Sequence, residues 1–247
     1  MNGTISISCL GSLGRFGNQL FQYAFARGYA ESIGARLETP AWIGQVLFQG
    51  INDPPCASAL PCLGLDVVPT NGATNLDLSG YFHSTEAFKW YTAAVARKWF
   101  TFKPEWKKLF EKPKKVAIHI RRGDYCTAYS NSFCTIEREA YDCALQSYGY
   151  SLSDVTVVSD ESGNCAGPVP WLSDFLTLMN ADVLFRANST FSWWAGTLGN
   201  ASVYSPVVGN KVGPRKDIPF VKGNHPYLAA CAGNDYVLSG TLCKITV

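Results

Sequence analysis

Short apolar runs rich in β-branched residues alternate with helix-like stretches over the second half of this chain. Such runs are typical of buried strands, and the stretches between them have the length and composition of helices. Strands that alternate with helices favour a parallel, doubly wound α/β sheet. The predicted strands are 116–120, 155–159, 183–187 and 203–205, and the predicted helices begin near Ile136, with Thr135 as N-cap, and cover 173–181 and 192–198.

A strand followed by a loop and a helix also opens the chain. The segment "TISISCL" (4–10) predicts a strand, and "QLFQYAFARGYAESIG" predicts a helix that ends at Gly34. In residues 41–113 the prolines suggest loops, and "EAFKWYTAAVARKWF" predicts an amphipathic helix. The stretch "EKPKK" interrupts the pattern near 112–115. We therefore predict two α/β domains, residues 1–112 and 113–247, the second with a loop-rich tail from 211.

The composition excludes several classes of protein. A hydrophobic content of 47% with 16% charged residues is sufficient for real cores, and a net charge of +2 is far from that of a general nucleic-acid binder. No stretch approaches the roughly 20 apolar residues that cross a bilayer, and the start lacks a basic region followed by an apolar one. We expect a cytoplasmic protein without a membrane span. Its nine cysteines are expected to be reduced thiols, or to form one or two disulfides in an oxidising compartment.

Polar clusters follow several predicted strands, where open α/β sheets bind their ligands. Arg121, Arg122 and Asp124 follow strand 116–120, and Asp160 follows strand 155–159. The segment "NSTFSWW" follows strand 183–187, and "GRFGNQ" follows the first strand of the chain. These four clusters would face one crevice if the two domains oppose each other.

Each of these side chains has a structural and a functional interpretation. Paired arginines can solvate a strand end, but two guanidinium groups at a strand tip also suit a diphosphate. Asp124 is first an ion-pair partner of an arginine and second a catalytic carboxylate. His119 is a core histidine or a hydrogen-bonding group for a ligand. Asp160 is a helix N-cap, or a carboxylate that accepts two N–H donors from a guanine edge.

The two longer segments also remain open. The "NSTF" segment is either a plain capping motif or an anion site made of backbone N–H groups at a helix N-terminus. The glycines of "GRFGNQ" permit a tight turn, but the segment matches neither GxGxxG nor the P-loop pattern. Trp193 and Trp194 are core residues or platforms for sugar stacking.

Three of these motifs together resemble the α-1,2-fucosyltransferase family. They are "GRFGNQLFQYA", "HIRRGDY" and "NSTFSWWAG", with "VVSDE" between the last two, and the match covers about 10–41 and 116–206. "GRFGNQ" is also similar to the opening motif of protein O-fucosyltransferases, and the HxRR core is shared with α-1,6-fucosyltransferases. The resemblance therefore indicates the donor more strongly than the acceptor.

The resemblance implies two facing Rossmann-like domains of the GT-B type with mostly parallel sheets. The N-terminal domain would lie on the acceptor side, and the C-terminal domain would bind the donor. It further implies GDP-β-L-fucose as donor, a glycan as acceptor, inversion at the anomeric carbon, an α-1,2 bond to galactose, and neither a metal nor another cofactor.

The resemblance also implies roles for individual residues. Arg121 would hold the β-phosphate and neutralise the departing GDP, with Arg122 and Asp124 fixing its geometry. The remaining donor-binding residues are His119 and Asp160 on the guanosine side, Ser189, Thr190, Phe191 and Ser192 around the phosphates and base, and Asn18, with Arg15 and Gly17, toward the fucose.

Inverting transfer also requires a base for the acceptor hydroxyl. Asp124 is the catalytic candidate, although an ion pair with an arginine would make it a weak base, and Glu137 and Glu139 are expected to face solvent. The alternatives to α-1,2 transfer are a protein O-fucosyltransferase or a fucosyltransferase of another linkage. A non-catalytic module that binds a GDP-sugar or glycan, and an α/β protein with no nucleotide site, belong to other classes.

Overall fold

The computed structural model describes residues 3–57, 59–70, 72–84, 86–108, 115–160 and 169–225. The chain divides into two compact units, Met1–Trp106 and Lys107–Val247, which we call the N-terminal and C-terminal units. Most of the predicted boundary at 112–115 lies outside the described residues. Within them, no helix combines the length and apolar character that a membrane span requires.

The N-terminal unit is built on four parallel strands in the order β2-β1-β4-β3. Its long helix α1 connects the two strands β1 and β2. The elements up to its end are β1 (Thr4–Ser6), α1 (Phe16–Ile33), β2 (Arg36–Glu38), α2 (Ile43–Leu47), β3 (Cys62–Leu65), β4 (Leu76–Ser79), a 3₁₀ helix (Ala87–Trp90), α3 (Ala93–Trp99) and α4 (Pro104–Lys107).

Helix α1 ends as the sequence predicts but begins earlier. Gly34 adopts the left-handed conformation, with φ 67°, and its N–H bonds to the carbonyls of Ala30 and Glu31. The helix starts at Phe16, so "GRFGNQ" contributes both the preceding turn and the first helical turn. The first strand ends at Ser6 instead of residue 10, because the chain turns there, with the N–H of Leu10 bonded to the carbonyl of Ile7.

The middle of the chain contains strands that the sequence analysis missed. β3 and β4 are four residues each and pair with each other in parallel, and β4 also pairs in parallel with β1. The predicted helix over "EAFKWYTAAVARKWF" is interrupted. Thr92 is extended and caps α3 by accepting a hydrogen bond from the N–H of Val95, which separates α3 from the 3₁₀ helix.

The C-terminal unit contains a five-stranded sheet in the order β11-β9-β8-β5-β7, in which only β11 is antiparallel to its neighbour. A separate parallel pair is formed by β6 and β10. The elements are β5 (Val116–Ile120), α5 (Gly123–Cys126), β6 (Cys134–Ile136), α6 (Arg138–Ser147), a 3₁₀ helix (Leu152–Asp154), β7 (Val155–Ser159), α7 (Leu172–Met179), β8 (Val183–Phe185), α8 (Thr190–Leu198), β9 (Ser202–Pro206), β10 (Gly213–Arg215) and β11 (Phe220–Lys222).

One prediction for this unit is wrong. Thr135 is not an N-cap but a buried residue of strand β6, and the following helix begins at Arg138 with Glu137 in the N-cap position. The described part of the predicted loop-rich tail also contains two short strands, β10 and β11.

The central strand β5 is buried along its whole length, as expected for a parallel strand with neighbours on both sides. Ile118 and Ile120 pack with Tyr141, Phe185 and Phe220 in one apolar core. The chain runs from β5 to β7 on one side and then returns to β8 on the other side. The point where the strand order reverses therefore lies between β5 and β8. The predicted mostly parallel α/β fold is confirmed.

Six cysteines lie in the described part of the chain. They carry free thiols, and they are Cys9, Cys56, Cys62, Cys126, Cys134 and Cys143.

Candidate functional site

The carboxyl ends of β7, β5 and β8 lie side by side at one edge of the C-terminal sheet. Arg121 and Arg122 follow β5, Asp160 follows β7, and the segment that starts α8 follows β8. Three of the four predicted clusters therefore meet at the point where the strand order reverses, which is where ligands bind in this class of sheet.

Arg121 is held between two carboxylates at the tip of β5. Its Nη2 pairs with Asp124, as predicted, and its Nη1 lies 3.0 Å from Oδ2 of Asp160. The guanidinium carbon is also 5.2 Å from the ring centroid of Tyr125. The side chain remains 13% exposed, so it is oriented by the protein but still reachable from solvent.

Asp160 and Glu137 have roles that the sequence did not indicate. Asp160 accepts the backbone N–H of Arg122 at 2.9 Å as well as binding Arg121, so both carboxylate oxygens are bonded to protein donors. Glu137 was expected to face solvent but is 15% exposed and lies 2.8 Å from Nη1 of Arg122. Both carboxylates orient the two arginines. Glu139, in contrast, is exposed and pairs with Lys216.

His119 is a buried, neutral side chain one residue before the end of β5. It is 3% exposed, and its Nδ1 has no hydrogen-bond partner among the described residues. Burial, followed by the charges of Arg121 and Arg186, lowers the pKa of His119 to about 3. Its ring centroid lies 5.6 Å from that of Phe191. The imidazole thus connects β5 with the first turn of α8.

The N-terminus of α8 forms the opposite wall of this edge. Ser189 is the N-cap, and its hydroxyl accepts the N–H of Phe191 at 3.3 Å. Thr190 is half-buried, whereas Ser192 is completely buried and donates to the carbonyls of Ala187 and Ser189. The backbone N–H groups of the first turn offer a positive dipole end to an anion. The hydroxyl of Ser192 is directed into the helix itself.

Asn188 connects the clusters to one another. Its amide Nδ2 donates to the carbonyl of Cys134 at 3.0 Å, and its own carbonyl accepts the hydroxyl of Tyr125 at 3.2 Å. The residue is buried, so these bonds form away from water and contribute to a fixed geometry. Asn188 is therefore a structural member of the site.

Arg186 is a buried cation that the sequence analysis did not single out. It is 2% exposed and follows β8, and its guanidinium donates to the hydroxyl of Ser205 at 2.9 Å and to the carbonyls of Ala187 and His225 at 3.0 Å. The signal in the sequence was an arginine directly after the apolar run "VLF", the same signal that identified Arg121.

The two tryptophans have different environments. Trp194 is fully buried and belongs to the core, and the indole N–H of Trp193 donates to the carbonyl of His225 at 2.8 Å. Trp194 is therefore a core residue, whereas Trp193 is half-buried.

The fourth cluster belongs to the N-terminal unit, at the start of α1. Arg15 is exposed and precedes the helix, Gly17 is buried and Asn18 is half-buried. Gly14 has φ +73°, and a Cβ there would lie 2.4 Å from the amide nitrogen of Asn18. The turn thus requires glycine. Among the described residues, no group of three or more His, Cys, Asp or Glu is placed to hold a metal ion.

None of the protein-family models searched matches the chain, and no curated protein gives a significant match. Solved structures do match. The chain is similar to NodZ α-1,6-fucosyltransferase soaked with GDP-fucose, with a TM-score of 0.55, 12% identity, and 90% of this chain and 99% of that chain covered. Another crystal structure of fucosyltransferase NodZ, from Bradyrhizobium, matches with a TM-score of 0.55 and 11% identity, and the match covers 90% of this chain and 99% of that chain. A mutant of Arabidopsis thaliana FUT1 in complex with GDP matches with a TM-score of 0.48 and 11% identity, and the match covers 82% of this chain and 70% of that chain. The similarity to NodZ shows that the chain shares the fold of that protein.

Proposed function

We propose that this protein is an inverting fucosyltransferase that moves L-fucose from GDP-β-L-fucose to a glycan hydroxyl. The observation that carries the proposal is the position of Arg121. A guanidinium lies at the tip of the central strand, beside the N-terminus of α8, where the strand order reverses. A planar guanidinium and a helix N-terminus are two groups that bind phosphate oxygens well.

The chemistry of the leaving group explains why these two groups are needed. As the bond from the anomeric carbon to the diphosphate breaks, negative charge develops on the β-phosphate of GDP. In a site without a metal ion, fixed cations and N–H dipoles have to stabilise this charge. Arg121 and the first turn of α8 would supply both, with Arg122 fixing the geometry and Asp124 orienting Arg121 before the donor binds. His119, Asp160 and Phe191 would line the guanosine side.

The comparisons support the nature of the donor. The solved structures with the same fold include NodZ soaked with GDP-fucose and NodZ co-crystallised with GDP. The pattern of residues at the strand ends of this chain is the one expected for such a donor. Asn18, with Arg15 and Gly17 beside it, is proposed to act toward the fucose.

For the bond formed, we propose an α-1,2 linkage to galactose, on the basis of the "HIRRGDY" and "NSTFSWWAG" motifs. An α-1,6 linkage is the second candidate, because NodZ is an α-1,6-fucosyltransferase. The test is incubation with isotope-labelled GDP-fucose and a panel of β-galactosides and N-acetylglucosamine-terminated glycans, with the linkage read from the product by NMR. Fucose on the 2-hydroxyl of galactose supports the first candidate, and fucose on a 6-hydroxyl supports the second.

The same assay separates the remaining functions. A protein O-fucosyltransferase would label a folded protein acceptor and none of the free glycans. A non-catalytic module would bind GDP tightly but release no GDP from GDP-fucose in the presence of any acceptor. An α/β protein with no nucleotide site would show no thermal shift at saturating GDP.

A further inference from the structure

The charges at the strand edge do not favour an anion in the arrangement that the structure shows. The guanidinium groups of Arg121 and Arg122 pair with three carboxylates, those of Asp124, Asp160 and Glu137. Among the described residues, these five side chains therefore carry an excess of one negative charge, and the buried Arg186 only brings the sum to neutral. A diphosphate adds at least two negative charges, so we expect one carboxylate to leave when it binds.

Asp160 is the carboxylate that is fixed most firmly. Its Oδ2 lies 3.0 Å from Nη1 of Arg121, and its Oδ1 accepts the backbone N–H of Arg122 at 2.9 Å. Gly123 packs against it so closely that a Cβ there would lie 2.5 Å from Oδ2. Movement of Asp160 would break two bonds and leave a backbone N–H without its acceptor. Glu137 pairs with Arg122, so its movement would not open Arg121.

The ion pair of Asp124 is formed with a residue close to it in the sequence. Asp124 lies three residues after Arg121 in the first turn of the four-residue helix α5, and its side chain is 23% exposed. The two side chains are on the same strand-to-helix connection. A rotation of the Asp124 side chain separates the two without disturbing the pair between Arg121 and Asp160.

We propose that the diphosphate of the donor replaces Asp124 on Arg121, while Asp160 keeps its place, and that the released Asp124 is the general base. This inference rests on the proposed function. In the reaction, the acceptor oxygen forms a bond to the anomeric carbon of fucose and gives its proton to the Asp124 carboxylate. The bond from that carbon to the diphosphate breaks, and the electron pair leaves with GDP, whose charge Arg121 stabilises.

This arrangement makes the base available only after the donor has bound. Without GDP-fucose, Asp124 neutralises Arg121 and its carboxylate is occupied. With the donor in place, the same carboxylate can accept a hydrogen bond from the acceptor hydroxyl. Binding of the diphosphate to Arg121 thus releases the base in the same step.

The test compares GDP with GMP, which lacks the β-phosphate, in calorimetric titrations of the full chain. The variants are Asp124→Asn and Asp160→Asn, with Asp142→Asn as the control, because Asp142 forms a similar pair with Arg138 on the surface of α6. We expect Asp124→Asn to bind GDP about fivefold more tightly, since the Asp124 carboxylate no longer competes for Nη2 of Arg121. It should bind GMP as the wild type does and lose about a hundredfold or more in fucosyl transfer. Asp160→Asn should bind GDP more weakly, and Asp142→Asn should change nothing.

Several outcomes would overturn the proposal. Weaker binding of both GDP and GMP by Asp124→Asn would mean that Asp124 only supports the fold, and near-normal transfer would exclude it as the base. A dependence of GDP binding on Mg²⁺ that Asp124→Asn removes would make it a metal ligand. If Asp124→Asn does not fold, Asp124→Ser provides the same test. A wild-type protein that does not bind GDP at all would instead contradict the proposed function itself.

Discussion

Arg121 is the residue on which the proposed chemistry depends most. We expect Arg121→Ala to lose about a hundredfold to a thousandfold in turnover, because a fixed cation no longer stabilises the charge that develops on the diphosphate. Arg121→Lys should also be poor, since an ammonium group cannot make a two-pronged contact. Steady-state kinetics with GDP-fucose measure both variants, and circular dichroism shows whether they fold. Arg138→Ala, on the surface of α6, is the control, and near-wild-type turnover in Arg121→Ala would contradict the assignment.

His119 predicts a defined dependence of stability on pH. Its pKa is lowered from 6.5 to about 3, chiefly by burial. Between these two values the unfolded chain binds a proton that the folded protein does not, so the free energy of unfolding falls as the pH decreases from about 6.5 toward 3. The loss has an upper limit of about 1.4 kcal/mol for each pH unit.

Urea denaturation of the wild type and of His119→Gln between pH 7 and pH 4 tests this dependence. The variant should lose part of the slope, and His83→Gln should lose a similar part, because burial lowers the pKa of His83 to about 4. Equal slopes in the wild type and His119→Gln would mean that His119 has the same pKa in the folded and in the unfolded protein.

At the residue level, candidate site residues could be predicted where their type was unusual for their position. Two arginines directly after a buried strand have no role in a core, so Arg121 and Arg122 stood out. The single Arg186 follows an equally apolar run, but it was assigned to the predicted strand 183–187 and not to the site. The burial of Glu137 could not be read from the sequence, because it depends on the side chain of Arg122, fifteen residues earlier, reaching it across the fold.

At the level of elements, α1 contains a glycine that a packing contact requires. Ala is normally the better helix former by about 1 kcal/mol. At Gly28, however, a Cβ would lie 2.3 Å from the carbonyl oxygen of Trp90. We therefore expect Gly28→Ala to lower the free energy of unfolding by about 1–3 kcal/mol. Chemical denaturation measures this change.

Ser32→Ala, at an exposed position of the same helix, is the matched comparison. It should change the stability by less than about 0.5 kcal/mol. A stability of Gly28→Ala equal to or above that of the wild type would mean that α1 and the 3₁₀ helix Ala87–Trp90 are not in close contact.

The elements that the sequence predicted well are those whose pattern is local. β5, β7 and α1 have a continuous apolar or amphipathic signal, or a glycine cap, and were found within a few residues. β6 and β10 are three residues each and exist because residues 79 positions apart pair with each other, for example Thr135 with Pro214. A pairing of this kind has no local signal, and Thr135 was therefore mistaken for a helix cap.

At the level of the whole molecule, the alternation of strands and helices was sufficient to predict a parallel α/β fold. The strand order of each sheet was not predictable, because periodicity does not say which strands are neighbours. The N-terminal unit was harder to predict for the same reason. β3 and β4 are short and lie among prolines, and β4 pairs with β1, about seventy residues earlier. That the two units form an acceptor domain and a donor domain remains a prediction.

The most direct test of the central claim is a calorimetric titration of GDP into the wild type and into Arg121→Ala under the same conditions. A diphosphate bound by a charged, two-pronged contact predicts measurable affinity in the wild type and a loss of at least about tenfold in the variant. Both proteins should bind guanosine equally, because it carries no phosphate. Equal affinity of the two proteins for GDP would contradict the account, as would the absence of any binding heat in the wild type.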